Sequence, residues 1–235
     1  MRKSLLYLLN IGLIFLSLSS CNKEYITNEY ITNEYYSNEY YYDGKFFITD
    51  QEEITQDIRP SYLKKGDTVA IFAISNGVSK SDLKNGISVL KNWGLNVIEA
   101  DNLYLESGRY AGELHDRING FQKLLDNPNI KALISARGGY GAAQVLPYID
   151  FEKFLENPKW IVGYSDVTAV HSAVNNLGVE TIHGPMAYKL SHSASVESLR
   201  KALFGELESH AISTNSNCIA GSGEGRLIGG NLSII

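Results

Sequence analysis

Residues 160–171 read Trp160-Ile161-Val162-Gly163-Tyr164-Ser165-Asp166-Val167-Thr168-Ala169-Val170-His171. Three bulky apolar residues predict a short buried strand over Trp160–Val162. The apolar spacing from Val167 to Asn176 predicts a helix, and Gly178 ends it. Between them lie only a glycine, a tyrosine, a serine and an aspartate. A strand that turns sharply into a helix around a serine has the layout of a nucleophile elbow. The turn exposes the hydroxyl, and the helix N-terminus favours negative charge developing beside it. Gly163, two residues before the serine, leaves room for the tight backbone. The second glycine of G-x-S-x-G is replaced by Val167, so the motif is met in part. The same residues also fit a simpler role, with Ser165 capping the helix and Asp166 or Thr168 helping. The pattern leaves both readings open.

Working outward, the same alternation repeats. Thr68–Ile74 is an apolar, β-branched run that predicts a buried strand, closed by the turn Ser75-Asn76-Gly77. Ser81 or Ser79 can cap a helix through Trp93, with Leu83, Ile87, Leu90 and Trp93 on one face, and Gly94 stops it. Leu95–Ala100 predicts a second strand. Asp116–Leu125 predicts a helix with Ile118, Phe121, Leu124 and Leu125 at core spacing, broken by Asp126-Asn127-Pro128-Asn129. Ile130–Ser135 predicts another strand, and Gly138-Gly139-Tyr140-Gly141 a loop into a helix ending near Pro147. Strands alternating with helices imply an α/β fold, a parallel sheet with helices on both faces. Ligands of such sheets bind beyond the C-terminal ends of the strands. Ser75-Asn76, Arg137-Gly138-Gly139 and Tyr164-Ser165-Asp166 all fall at that edge.

Glycines between strand and helix can present backbone N–H groups to an anion. The stretch Arg137–Gly141 lacks the Lys-Ser/Thr of a P-loop and does not follow the first strand, which argues against a nucleotide. Two readings remain: an ordinary tight turn, or an oxyanion hole in which Gly138 or Gly139 donates together with the N–H of Asp166. A serine nucleophile needs a base. The histidines are His115, His171, His183, His192 and His210. His171 falls on the helix after the serine and is expected to pack. His183 closes a short predicted strand, and a lone loop histidine is more often structural or substrate-contacting. Spacing singles out none of them as the base. No Cys/His cluster has zinc spacing, so no metal is expected, nor any other cofactor. A net charge of −5 on 235 residues argues against nucleic acid as a partner.

The first sixty residues carry a different message. Arg2 and Lys3 precede an apolar run, Leu5–Leu18, that ends in Leu18-Ser19-Ser20-Cys21. This resembles the lipobox of bacterial lipoproteins. It implies a signal peptide over 1–20 and lipidation of Cys21, placing the protein in the bacterial cell envelope, held to a membrane by acyl chains. An ordinary signal peptide or an anchor helix is the simpler alternative. A disulfide between Cys21 and Cys218 is not expected, because Cys21 sits at the end of the export signal. From Glu24 to Asp43 a five-residue repeat follows, beginning Glu24-Tyr25-Ile26-Thr27-Asn28. Residues 21–58 read as a low-complexity spacer, or alternatively as a self-associating stalk.

An ordered set of motifs completes the reading: Ser107-Gly108-Arg109-Tyr110-Ala111-Gly112, Arg117, Asn129-Ile130-Lys131-Ala132, Arg137-Gly138-Gly139-Tyr140-Gly141, Leu146-Pro147-Tyr148-Ile149-Asp150, Gly163-Tyr164-Ser165-Asp166, Thr168-Ala169, His183-Gly184-Pro185-Met186, and Gly223 through Ser233. Together they resemble the LD-carboxypeptidase family of serine peptidases, which also contains the microcin C self-immunity proteins. The resemblance implies hydrolysis of the bond to a terminal D-amino acid in a murein tetrapeptide. The implied mechanism is acyl transfer by a Ser-Glu-His triad, with Ser165 as nucleophile and with Asp166 and Gly138 or Gly139 at the oxyanion. It also implies an α/β domain over 59–205, a smaller β-rich domain of which 206–235 is the start, and the homodimer common among members. One departure is Gln144-Val145, where members tend to have Arg-Leu. The other is that the family's Glu and His lie downstream of Gly229-Gly230-Asn231-Leu232-Ser233, so the chain is expected to be truncated and inactive alone. The alternatives are an immunity-type amide hydrolase, or a non-catalytic murein-peptide-binding or stalk lipoprotein.

Overall fold

A computed structural model of the chain describes residues 57–191, 194–207, 209 and 227–234. The expected signal peptide, Cys21 and the five-residue repeat lie outside the described residues. In chain order the elements are β1 (Thr68–Phe72), α1 (Lys80–Asn92), β2 (Asn96–Glu99), α2 (Leu114–Asp126), β3 (Ile130–Ser135), α3 (Ala142–Val145), α4 (Glu152–Glu156), β4 (Trp160–Gly163), α5 (Thr168–Asn176), β5 (Ile182–His183) and α6 (Ala194–Phe204). Short 3₁₀ turns occupy Leu146–Tyr148, Ser165–Val167 and Ala187–Lys189.

The five strands form one parallel sheet in the order β2-β1-β3-β4-β5. Apart from Thr68 and Lys131 at their beginnings, the central strands are buried, which is why they read as apolar runs rather than alternating ones. The edge strand β2 exposes Asn96 and Glu99. The chain steps one way from β1 to β2 and the other way from β2 to β3. Right-handed crossovers therefore put α1 and α2 on opposite faces. On one face α2 packs with α3 and α4, and α3 with α5; on the other α1 packs against the 3₁₀ turn Ala187–Lys189. The α/β expectation, with helices on both faces, is met.

The details differ at element ends. Ser79 rather than Ser81 caps α1, accepting from the Asp82 N–H at 3.2 Å while the Asp82 carboxylate accepts from the Ser79 N–H at 2.8 Å. β1 ends at Phe72, two residues short of the expected Ile74, because Ala73–Ser75 turn away to form the edge of the site. Ile58 packs against the turn after α5, where its N–H donates to the Gly178 carbonyl at 2.7 Å. The short α4, and α6, were not expected from the sequence. At the opposite end of the sheet, the buried Lys159 ammonium donates to the carbonyls of Leu125 (2.6 Å) and Asn127 (2.8 Å), closing the C-terminus of α2. Burial pushes it down to about 8.

Candidate active site

A sheet ordered 2-1-3-4-5 reverses its winding direction between β1 and β3, and the loops leaving those strands diverge to open a crevice. The loop after β1 (Ser75-Asn76), the loop after β3 (Arg137–Gly141) and the turn after β4 (Tyr164–Asp166) line that edge, as the sequence reading expected.

Ser165 is the single non-glycine residue with a positive φ among the described residues, at 60°. For an L-residue this left-handed conformation costs on the order of 1 kcal/mol, and such strain is retained where the surroundings enforce it. The enforcement is visible. A Cβ placed on Gly163 would come within 2.9 Å of the Val167 side chain, so Gly163 and Val167 interlock across the turn. The valine that departs from G-x-S-x-G thus fills the space that the first glycine leaves. The capping reading finds no support: neither the 3₁₀ turn nor α5 has a side-chain cap hydrogen bond.

The Ser165 side chain faces the glycine loop. A Cβ on Gly138 would lie 3.0 Å from Ser165 Cβ and 3.2 Å from its Oγ, so a glycine there lets the two backbones approach. The turn's backbone hydrogen bonds begin at Val167, whose N–H donates to the Tyr164 carbonyl. The Asp166 N–H precedes that ladder, in the orphan-donor position of a helix start.

The Asp166 side chain has a role that the sequence did not reveal. It is buried, and its Oδ2 accepts both the Ser75 hydroxyl (2.6 Å) and the Ala142 N–H (2.9 Å). One carboxylate oxygen thereby ties all three edge loops together. Arg117, legible only as a member of the ordered motifs, works beside it. Its buried guanidinium donates to the carbonyls of Ile74 (3.1 Å) and Gly141 (3.3 Å) and to Gln144 Oε1 (3.2 Å), and stacks 4.5 Å from the Tyr110 ring centroid. Burial lowers its pKa, opposed by the nearby Tyr110 and Asp166. Gln144, where the resemblance leads one to expect arginine, serves here as an acceptor for Arg117.

His171 packs, as expected. It is buried, its Nε2 donates to the Gly163 carbonyl at 2.9 Å, and its Nδ1 has no partner among the described residues. Burial pushes it down to about 4, so the ring is neutral. His183 closes β5 and lies with its ring 6.3 Å from Tyr164 and 6.0 Å from His171. No hydrogen bond joins either ring to Ser165 among the described residues. Those residues also bring together no group of three or more His, Cys, Asp or Glu side chains suited to a metal. The segment 227–234 returns to this edge, where the Asn231 N–H donates to Thr168 Oγ1 at 3.1 Å and Gly230 lies directly against the Thr168 side chain.

Compared with known proteins, residues 69–184 match the LD-carboxypeptidase N-terminal domain. That segment is an LD-carboxypeptidase N-terminal domain. The chain is 33% identical over 185 residues to a probable murein peptide carboxypeptidase of Bacillus subtilis (strain 168), covering 75% of this chain and 58% of the relative. It is 29% identical over 188 residues to the murein tetrapeptide carboxypeptidase of Pseudomonas aeruginosa, covering 71% of this chain and 58% of that one. Among solved structures, MccF in complex with glutamyl sulfamoyl guanosine superposes with a TM-score of 0.58 and 27% identity, over 61% of this chain and 46% of MccF. The chain therefore spans about three-fifths of the length of these carboxypeptidases. Within the family's N-terminal domain, the interlocked elbow, the glycine loop and the carboxylate tie form one continuous edge.

Proposed function

We propose that the protein is a serine carboxypeptidase that releases the terminal D-amino acid from a murein tetrapeptide, with Ser165 as its nucleophile. One observation carries the reading: a serine held at positive φ on a strand-to-helix turn, with its hydroxyl against a glycine of the neighbouring loop. The relatives named as murein peptide carboxypeptidases supply the substrate class.

In this reading Ser165 Oγ attacks the carbonyl that precedes the D-residue. The oxygen becomes negative and accepts hydrogen bonds from the Asp166 N–H and from the Gly138 or Gly139 N–H. Collapse breaks the C–N bond, the amine leaves with a proton, and water later cleaves the ester. His171 is not the base, because its Nε2 is held by Gly163 and its Nδ1 is buried. The resemblance puts the base and its carboxylate in the family's C-terminal domain. Export through residues 1–20 and lipidation at Cys21 would bring the site to its substrate in the envelope.

The likeness to MccF favours a second reading, an amide hydrolase acting on peptidyl-nucleotide compounds. D-alanine release from a murein tetrapeptide separates the two. The assay is run on the chain itself and on the chain joined to the C-terminal domain of the Bacillus subtilis relative. D-alanine release by the joined protein, falling by at least about 10³-fold in Ser165→Ala, is expected. Release that is unchanged in Ser165→Ala removes the nucleophile assignment. Cleavage of an aminoacyl sulfamoyl nucleoside in place of the tetrapeptide favours the second reading.

A further inference from the structure

A carboxypeptidase must recognise a free terminal carboxylate, and no group described so far does that. Arg117 cannot, since its guanidinium is buried and donates to Ile74, Gly141 and Gln144. Arg137 is placed differently. It immediately precedes Gly138, the glycine that abuts Ser165 Oγ, so its Cα lies about 3.8 Å further along the loop. Its guanidinium carbon sits 4.9 Å from the Tyr188 ring centroid. Tyr188 is itself fixed to the end of β3 by a 3.0 Å bond from its N–H to the Ala136 carbonyl. A cation stacked on an anchored ring keeps its direction, while its N–H edge remains available for a planar anion. Among the described residues Arg137 joins no ion pair and makes no side-chain hydrogen bond. Asp82, whose carboxylate feels the Arg137 charge, is bound instead to Ser79 in the α1 cap.

We propose that Arg137 binds the terminal carboxylate of the substrate and so selects the last peptide bond. The inference rests on the carboxypeptidase reading and adds the group that makes the enzyme an exopeptidase. The geometry suits the chemistry. The terminal carboxylate lies one residue beyond the scissile carbonyl, and an arginine one residue along from the oxyanion glycine spans that step. A bidentate guanidinium–carboxylate pair supplies direction as well as charge.

The test is calorimetric binding to the full chain carrying Ser165→Ala, which removes turnover. Two probes are compared: a murein tetrapeptide ending in D-alanine carboxylate, and the same peptide ending in D-alanine amide. The acid is expected to bind at least about 30-fold more tightly than the amide, and Arg137→Gln is expected to erase that difference while leaving the amide's affinity unchanged. Arg137→Lys is expected to restore part of it. If Arg137→Gln keeps the preference, or weakens both peptides equally, Arg137 is not the anchor. Equal binding of both probes to the parent overturns this inference and leaves the murein reading standing. Binding of neither probe to the parent overturns both.

Discussion

At the scale of single residues, Ser165 separates two explanations that the sequence left level. A serine capping α5 would stabilise the helix, and its loss would cost stability. A serine strained at φ 60° for the sake of its hydroxyl does the opposite, since glycine occupies that region without penalty. Ser165→Gly is therefore expected to raise stability by about 1 kcal/mol, read as a higher urea midpoint at unchanged slope. A lower midpoint would return Ser165 to the capping role. The serine, its preceding glycine and the strand before it were all legible at the outset, because a buried apolar run followed at once by Gly-Tyr-Ser-Asp has few folded solutions. The sign of φ was not legible. It depends on the Val167 side chain filling the space left by Gly163, a contact with backbone four residues earlier that no propensity records.

At the scale of elements, the central strands β1, β3 and β4 were readable because they are buried on both faces and so read as largely apolar sequence. β2 was readable with blurred ends because it lies at the edge. The short α4 escaped because one turn carries too little periodicity. The tie between loops escaped for a different reason: Ser75, Ala142 and Asp166 are far apart in the chain, and only the strand order brings them together. That tie makes a testable claim about Asp166, whose N–H and carboxylate do separate jobs. Asp166→Ala leaves the Ser75 hydroxyl and the Ala142 N–H buried and unpaired, and is expected to cost about 2–4 kcal/mol by urea unfolding. Asp166→Asn can present its carbonyl oxygen to both donors, so a cost of about 1 kcal/mol is expected. Equal losses in the two variants would mean that the carboxylate charge, rather than the shared acceptor, holds the loops. A parallel claim concerns Gly230. Any Cβ there runs into Thr168, so Gly230→Val is expected to lift the segment 227–234 from α5, with faster proteolysis within that segment and an unchanged core.

For the whole molecule, the buried histidine beneath the elbow sets how stability responds to acid. His171 is held down to about 4 by burial, against an ordinary value of 6.5 that it regains on unfolding. Above pH 6.5 the ring is neutral in both states and contributes no pH dependence. Between pH 6.5 and 4 the unfolded chain takes up a proton that the native protein refuses, so stability falls as the pH falls. Below pH 4 both states are protonated and this contribution is flat. The full effect is a few kcal/mol, at 1.36 kcal/mol per unit of pKa. His183, lowered in the same direction by partial desolvation, adds to the slope. The depressed carboxylates Asp82, Glu197 and Glu206 act mainly below this window, since their ordinary values are 3.8, 4.5 and 4.5. A glutamine at position 171 keeps an N–H donor for the Gly163 carbonyl and has no proton to gain. His171→Gln is therefore expected to flatten the slope of unfolding free energy between pH 6.5 and 4.5, while the parent loses stability across it. Parallel slopes in the two proteins would show that His171 titrates in the folded state, and with it that the floor beneath Ser165 is open to water.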